Sequence, residues 1–202
     1  PSAAELEKMK FLVREAMDAG AIGFASSFSP NHAGWGGRPM PSTISSDFEL
    51  KVLTSELKQK NRGIFVMATG PRATPEYMEA IAAETGRPAF MVTVLTMYAE
   101  PAKAMTYYER CAAARGRGHE VFIHTSCQPL SFDFTLEEPY LLYSHDAFDR
   151  VKAAKAGERA AIYKDPSFRR KFRGNLANPK PGILFYGDWT TIEKDGRPIS
   201  EL

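Results

Sequence analysis

The sequence predicts an α/β protein in which helices cover a parallel sheet. Two observations support this class: four continuous apolar runs are typical of buried strands, and amphipathic helical patterns separate them. Either a doubly wound sheet or part of a (β/α)8 barrel has this pattern. A full barrel needs about 250 residues. A chain of 202 residues with four or five β/α units therefore favours a partial (β/α)8 TIM barrel followed by a helical C-terminal segment.

Residue spacing and capping motifs place the predicted elements. Leu6, Met9 and Val13 share one face of a first helix. Ser46 and Glu49 form a capping box at the start of a second helix. Further helices are predicted to begin near Pro75 and Pro101. The predicted strands are residues 21–26, 64–69, 89–95 and 120–126.

The C-terminal third has a different pattern. Residues 139–176 are mostly helical, with Asp165 as a helix cap, and a weaker strand is predicted at 182–186. We therefore expect consecutive β/α units over residues 1–138. Residues 139–202 form a mostly helical extension of the same domain that ends in a short strand.

Composition and charge are those of an ordinary globular protein. A hydrophobic fraction of 44% and a net charge of +2 favour neither nucleic acid nor membrane as a partner. The basic cluster at 169–173 is typical of a solvated helix face. Cys111 and Cys127 are too few for a disulfide framework, so we expect a reducing, cytoplasmic compartment. No signal peptide is visible, and the start at Pro1 suggests a fragment, a processed product or a subunit.

Candidate binding residues follow the predicted strands, because ligands of parallel α/β folds meet the carboxyl ends of the strands. The loop at 26–42 combines polar side chains with glycines that allow a ligand to approach the backbone. Arg38 in this loop is suited to binding a carboxylate. A purely structural loop rich in turns explains the same composition. The predicted substrate-binding residues are Ser26, Asn31, Arg38, Thr69, Ser126 and Gln128.

Two histidines are the catalytic candidates. His124 lies near the C-terminal end of the fourth predicted strand and His32 lies in the first loop, so either is a candidate general base, although each is also explained as a rim residue. His119 and His145 are interpreted as surface residues. Cys127 is a weaker candidate because nothing in the sequence indicates a lowered thiol pKa. The sequence has no His-x-His, HExxH or CxxC motif, so no metal ligand is predicted.

Several segments are similar to one enzyme family. The segment EAMDAGAIGFASSFSPNHAGWGGRPMPS, followed by GIFVMATGP, resembles the middle of the N-acyl-D-amino-acid deacylase branch of the amidohydrolase superfamily. GRPAFMVTVLT, RGRGHEVFIHTSCQPLSFDF and DPSFRRKF resemble later parts of the same branch, so the resemblance covers about residues 5–175. It implies a barrel hydrolase that cleaves the amide of an N-acyl amino acid with a water activated by zinc or another divalent metal.

The chain departs from that family at the metal ligands. Members of the branch have ligand histidines after their fifth and sixth strands, whereas the matching positions here, 68–69 and 94–96, contain none. The resemblance therefore places His32 and His124 on the substrate side of the pocket. A metal-free lyase or isomerase, and a non-catalytic homologue that binds a small molecule in the same pocket, remain alternatives.

The expected partners follow from the partial barrel. We expect a small-molecule substrate, and we expect the chain to need the missing N-terminal part of the barrel or another chain. The reason is that an open half barrel exposes sheet edges and apolar surface. A homo-oligomer is one arrangement that would cover them.

Overall fold

A computed structural model describes residues 1–30, 32, 34, 38–97, 100–128, 131–155, 157–180 and 183–201. The chain divides into two compact units. The first comprises Pro1–Met97 and Pro101–Pro129, and the second comprises Tyr98–Glu100 and Leu130–Leu202. Each unit has its own hydrophobic core. Within the described ranges, no helix has the length and apolar character that crossing a membrane requires.

The first unit is a four-stranded parallel sheet with helices between its strands. Its elements are α1 (Ala3–Asp18), β1 (Gly23–Ser27), α2 (Asp47–Lys60), β2 (Ile64–Ala68), α3 (Pro75–Thr85), β3 (Ala89–Val92), α4 (Lys103–Gly116) and β4 (Val121–His124). The strands are ordered β1-β2-β3-β4, and every neighbouring pair is parallel. The α/β class and the parallel sheet are thus confirmed. The strand order follows the chain order throughout these four strands.

Side-chain caps begin α2 and α3 where the sequence predicts them, whereas α4 begins at Lys103 without a side-chain cap. The backbone N–H of Glu49 donates to the Ser46 hydroxyl at 3.1 Å, and the N–H of Tyr77 donates to the Thr74 hydroxyl at 3.2 Å. Gly86 ends α3 in the left-handed conformation, with φ of 65°, which glycine adopts without a steric penalty. Local hydrogen bonds therefore fix these boundaries.

The helices cover one face of the sheet. Each helix of this unit packs against the next along the chain, and all four contribute side chains to a single core. Alternate strand residues point into that core and have no exposed surface: Phe65, Met67, Ala89, Met91 and Val121. The apolar runs in the sequence correspond to these buried positions.

The opposite face of the sheet is only partly covered. Val66, Phe90 and Phe122 lie in register across three strands and are half-buried. The rings of Phe90 and Phe122 stack with their centroids 5.0 Å apart. The sheet therefore has a second apolar face that its own helices do not cover.

An ion pair between Arg14 and a buried carboxylate joins the first two helices. The Glu56 carboxylate has no exposed area. It accepts hydrogen bonds from Nε of Arg14 at 2.9 Å and from Nη2 of Arg14 at 3.1 Å. A buried carboxylate needs such a partner because its desolvation is otherwise uncompensated. This pair connects α1 to α2 across 42 positions of sequence.

The second unit is built mainly from short helices. Its elements are 3-10 turns at Tyr140–Ser144, Asp146–Phe148, Trp189–Thr191 and Ile199–Glu201, helices α5 (Asp149–Ala153), α6 (Arg159–Lys164) and α7 (Pro166–Ala177), and strands β5 (Glu193–Lys194) and β6 (Arg197–Pro198). Asp165 caps α7 as predicted, since its carboxylate accepts from the Ser167 N–H at 2.8 Å. The basic residues at 169–173 lie on the solvated face of α7, whereas Phe168 packs inward.

The predicted strand at 182–186 is wrong. Residues 183–186, the described part of that run, are irregular, and the short strands of this unit are the antiparallel pair β5 and β6. Ile183 and Phe185 are nevertheless buried, with 3% and 4% of their surface exposed. The apolar run therefore reflects core packing by an irregular segment.

The interpretation of His145 as a surface residue is also wrong. Its side chain is 2% exposed, and its ring packs edge-on against Phe172 with the centroids 5.1 Å apart. His119, by contrast, keeps 35% of its side chain exposed and contacts the Glu79 carboxylate at 2.9 Å. His145 is buried by contacts with residues distant in sequence, so the residues next to it in the chain do not indicate that it is buried.

Candidate active site at the carboxyl edge of the sheet

The carboxyl ends of the four strands form one edge of the first unit. In register across this edge lie Ser27, Ala68, Val92 and His124. By strand alternation this row shares the half-buried face with Phe90 and Phe122. Neighbouring strands are about 4.8 Å apart, so the backbones of Ser27 and His124 are separated by roughly 14 Å, three strand spacings. The two catalytic candidates are therefore far apart: His124 is at one end of the row, and His32 is in the loop that follows Ser27 at the other end.

Ser27 and His32 form a close polar pair at one end. The Ser27 Oγ lies 2.6 Å from Nδ1 of His32, and it also accepts a hydrogen bond from the Ser29 N–H at 3.1 Å. Ser27 is 7% exposed, whereas His32 is exposed. When the hydroxyl donates to Nδ1, the imidazole carries its proton on Nε2. The buried serine thereby orients an imidazole that solvent can reach.

Both Ser26 and Ser27 are polar residues at the start of the first loop, and the predicted substrate contact is Ser26, whereas the structure pairs Ser27 with His32. Ser26 is paired in register with Met67, a residue of the helix-covered face. Ser27 is paired with Ala68, on the opposite face. Strand alternation was the available signal: Phe24 packs on the core, so Ser26 shares its side and Ser27 does not.

Thr69 links two of the strand ends. Its N–H donates to the Val92 carbonyl at 2.7 Å, and its hydroxyl donates to the Thr93 carbonyl at 3.1 Å. The hydroxyl proton is therefore committed to the backbone. The Thr69 hydroxyl can therefore only accept a hydrogen bond from a ligand.

His124, Ser126 and Gln128 are exposed at the other end of the edge. The His124 carbonyl accepts from the Val94 N–H at 3.0 Å, which holds the end of β4 against the chain that follows β3. The Gln128 N–H donates to the Ser126 hydroxyl at 3.1 Å, so these two residues share one turn. All three side chains are accessible to a ligand.

The loop after β1 is described in part. Arg38 is exposed, and its carbonyl accepts from the Gly34 N–H at 2.7 Å, which closes the loop on itself. Asn31 lies outside the described residues. The side chain of Arg38 is accessible to a ligand, and a guanidinium is suited to binding a carboxylate.

An open apolar cleft adjoins the Ser27–His32 pair. It has a volume of about 340 Å³. The Arg72 guanidinium lies 3.9 Å above the Phe28 ring and donates to the Ser45 carbonyl at 2.7 Å and to the Asp47 carboxylate. Because that cation is already paired, the cleft favours apolar groups. Its lining residues are Phe28, Pro30, Pro39, Thr43, Ile44, Pro71 and Arg72.

A close backbone approach holds the first two loops together. A Cβ atom on Gly70 would lie 2.1 Å from the Phe28 carbonyl oxygen, far inside van der Waals contact. Only glycine therefore lets the chain after β2 meet the chain after β1 at this point. This contact lies one residue beyond Ser27 and supports the position of the Ser27–His32 pair.

The described residues do not fit the zinc site that the sequence resemblance implies. Within the described ranges, no group of three or more His, Cys, Asp or Glu residues is placed to hold a metal ion. At the carboxyl edge, His32 follows the edge strand β1, and His124 is the last residue of the other edge strand, β4. The edge supplies hydroxyl and imidazole groups rather than a clustered ligand set.

These features define the class of the chain. It contains an α/β unit with a four-stranded parallel sheet, and the carboxyl edge of that sheet presents hydroxyls and imidazoles beside an apolar cleft. No family model, curated protein or solved structure matches the chain. Any assignment of function therefore depends on the residues and geometry described above.

Proposed function

We propose that the first unit is part of an amidohydrolase-like (β/α)8 barrel that hydrolyses the amide bond of an N-acyl amino acid or a related compound. The sequence resemblance over about residues 5–175 supports the family. The strand order supports the barrel, because successive strands of a barrel are neighbours and its helices lie outside. A doubly wound sheet instead reverses its order at a switch point, and these four strands run in chain order.

The observation that carries this proposal is the oriented imidazole of His32. Ser27 holds Nδ1 at 2.6 Å, so Nε2 is the atom presented to a substrate. An imidazole at this place is suited to donate a hydrogen bond to an amide or to exchange a proton with it. In this proposal His124 is the second proton-transfer group, on the opposite side of the substrate.

In this proposal the apolar and polar parts of the substrate bind at different places, the cleft and the polar edge of the sheet. The apolar cleft beside Phe28 suits the acyl chain, and the exposed Arg38 suits a carboxylate. The remaining substrate contacts in the proposal are Asn31, Thr69, Ser126 and Gln128. Ser26, which shares the helix-covered face with Met67, is not kept among them. These assignments put the amide between the cleft and the row of strand ends.

The proposal assigns no described residue as a metal ligand. Zinc or another divalent ion supplies an activated water in hydrolases of this superfamily. Because the described residues do not supply its ligands, the proposal assigns none of them to a metal. His32 and His124 bind substrate and move protons.

The uncovered face of the sheet accounts for the proposed partners. Val66, Phe90 and Phe122 form an apolar surface that faces the interior when a sheet of this kind closes into a barrel. We propose that the remaining strands come from another part of the protein or from another chain, including a second copy. Both cysteines are free, which agrees with the reducing cytoplasm that we propose as the compartment.

The test is turnover of a panel of N-acyl amino acids by the purified protein, with bound metal measured in the same preparation. The proposal predicts release of the free amino acid. It also predicts that His119→Ala, a substitution of a histidine outside the edge, leaves the rate unchanged. Panel members that bind in calorimetry with no turnover at any metal concentration would contradict hydrolysis.

The second candidate function is that of a non-catalytic homologue that binds a small molecule at this edge. The lack of a clustered ligand set among the described residues favours it. Binding without turnover, abolished by Arg38→Ala and retained in Lys155→Ala, is the result that this candidate predicts.

A further inference from the structure

A small cavity in the second unit lies beside the buried His145. It offers about 10 Å³ to the centre of a water molecule, which is about the space that one buried water needs. The side chains around it are mostly polar. They include Ser144, His145, Asp146, Asn175, Asn178 and Lys180.

His145 contributes an unpaired acceptor to this cavity. Its Nε2 lies 2.8 Å from the Phe185 carbonyl oxygen. Since a carbonyl only accepts, Nε2 carries the proton. Burial lowers the pKa of His145, against the opposing effects of the Phe185 carbonyl and the Asp146 charge, so the ring is neutral near pH 7. Its Nδ1 is then a buried lone pair, and it has no hydrogen-bond partner among the described residues.

Asp146 contributes a second acceptor. Lys180 donates to Oδ2 at 2.9 Å and, with the nearby Asn175 side chain, lowers the pKa of this carboxyl, so it is ionised. The other oxygen, Oδ1, is buried and receives no hydrogen bond of normal geometry from any described residue. The Lys171 ammonium lies 3.9 Å from Oδ1.

The two unpaired atoms define what fits between them. Because both are acceptors, the occupant must donate two hydrogen bonds, which excludes an anion. The Lys171 and Lys180 ammonium groups already neutralise Asp146, so a further cation is repelled. The volume admits one small molecule. Water is the neutral molecule of this size that donates twice.

We propose that this cavity binds one ordered water molecule, which donates one hydrogen to Nδ1 of His145 and the other to Oδ1 of Asp146. The water satisfies two buried acceptors that otherwise cost free energy. Nε2 of the same ring binds the Phe185 carbonyl, so the water also helps to fix the ring that connects the turn at 144–146 to the irregular buried segment at 183–186. The site is independent of the function proposed for the first unit.

The direct test is a high-resolution crystal structure of the whole chain, combined with nitrogen NMR of the His145 ring. The expected result is one water peak within hydrogen-bond distance of both atoms, with Nε2 protonated and Nδ1 unprotonated and hydrogen-bonded. An empty cavity, an ion identified by anomalous scattering, or a protonated Nδ1 bonded directly to Asp146 would overturn the proposal.

A pair of variants gives an independent measurement. Asp146→Leu removes one acceptor, and we expect loss of the long-lived water signal in relaxation dispersion of the solvent. Asp149→Leu is the matched control, since it removes a neighbouring carboxylate that is 64% exposed and pairs only with the Lys152 side chain at 3.3 Å among the described contacts. Persistence of the signal in Asp146→Leu would refute the bridge. If that variant does not fold, the wild-type measurements still decide.

Discussion

The hydroxyl oxygen of Ser27 lies 2.6 Å from Nδ1 of His32, at the carboxyl end of the edge strand β1. The serine is buried and the histidine is exposed, so the pair connects the interior of the sheet to the surface on which a ligand would lie. Its position depends on the neighbouring loop, which meets the Phe28 carbonyl at Gly70.

The Gly70→Ala substitution tests that dependence. The added Cβ would lie 2.1 Å from the Phe28 oxygen, so the loop must move, at a cost of about 1–3 kcal/mol in the free energy of unfolding. We expect denaturant unfolding to show this loss and the NMR resonances of the His32 ring to shift.

Gly174→Ala is the matched control for this substitution. Gly174 lies within α7, and a Cβ there would meet no described atom within 4 Å. Alanine in a helix interior is favoured over glycine, so we expect stability to rise by about 0.5–1 kcal/mol. Equal stability changes in the two variants would contradict the assigned role of Gly70.

The ion pair between Arg14 and the buried Glu56 carboxylate predicts that the effects of mutating the two residues are not additive. Arg14→Met leaves a fully buried carboxylate without its main partner, and the double variant Arg14→Met/Glu56→Leu removes that charge. We therefore expect the double variant to unfold at a higher temperature than Arg14→Met alone, as measured by circular dichroism.

A second pair between the same helices provides the comparison. Lys60 and Asp18 form an exposed contact at 2.6 Å, and exposed pairs contribute at most about 1 kcal/mol. We expect Lys60→Met to change the unfolding temperature little. A larger loss in Lys60→Met than in Arg14→Met would show that burial of Glu56 has no energetic consequence.

The buried His145 predicts a loss of stability in mild acid. Its pKa in the folded chain is below the ordinary 6.5, so the unfolded chain takes up the proton first as the pH falls. The contribution of the neutral ring is therefore complete above about pH 6.5 and decreases below it. Urea unfolding at pH 5 and pH 7 should show this difference in the wild type.

The variant His145→Phe separates this effect from other titrations. Phenylalanine keeps a ring against Phe172 and does not titrate. We expect a smaller difference in stability between pH 5 and pH 7 in this variant than in the wild type. The same difference in both proteins would exclude His145 as its cause.

Local patterns in the sequence were sufficient for the order of the helices and strands of the first unit. The alternation that buries Phe65 and Met67, and caps such as Thr74, depend on residues a few positions apart. Contacts distant in sequence were not accessible in this way. His145 meets Phe185 across 40 positions, and the irregular segment at 183–186 has the apolar composition of a strand because the same core buries it.

The candidate site was predictable in position but less so in detail. Parallel strands place their carboxyl ends on one edge, so the loops were identified from the sequence. Choosing between Ser26 and Ser27 required knowing on which side of the sheet each side chain lies. The contact of Ser27 with His32 required the path of the loop.

The central claim is that the His32 imidazole acts on an amide substrate at the carboxyl edge. The most direct measurement is kcat/KM for an N-acyl amino acid with wild-type protein, His32→Ala and the control His119→Ala. The account predicts that kcat/KM falls about 100-fold or more in His32→Ala, as expected for loss of a proton-transfer group, and stays unchanged in His119→Ala. An unchanged kcat/KM in His32→Ala would contradict the account.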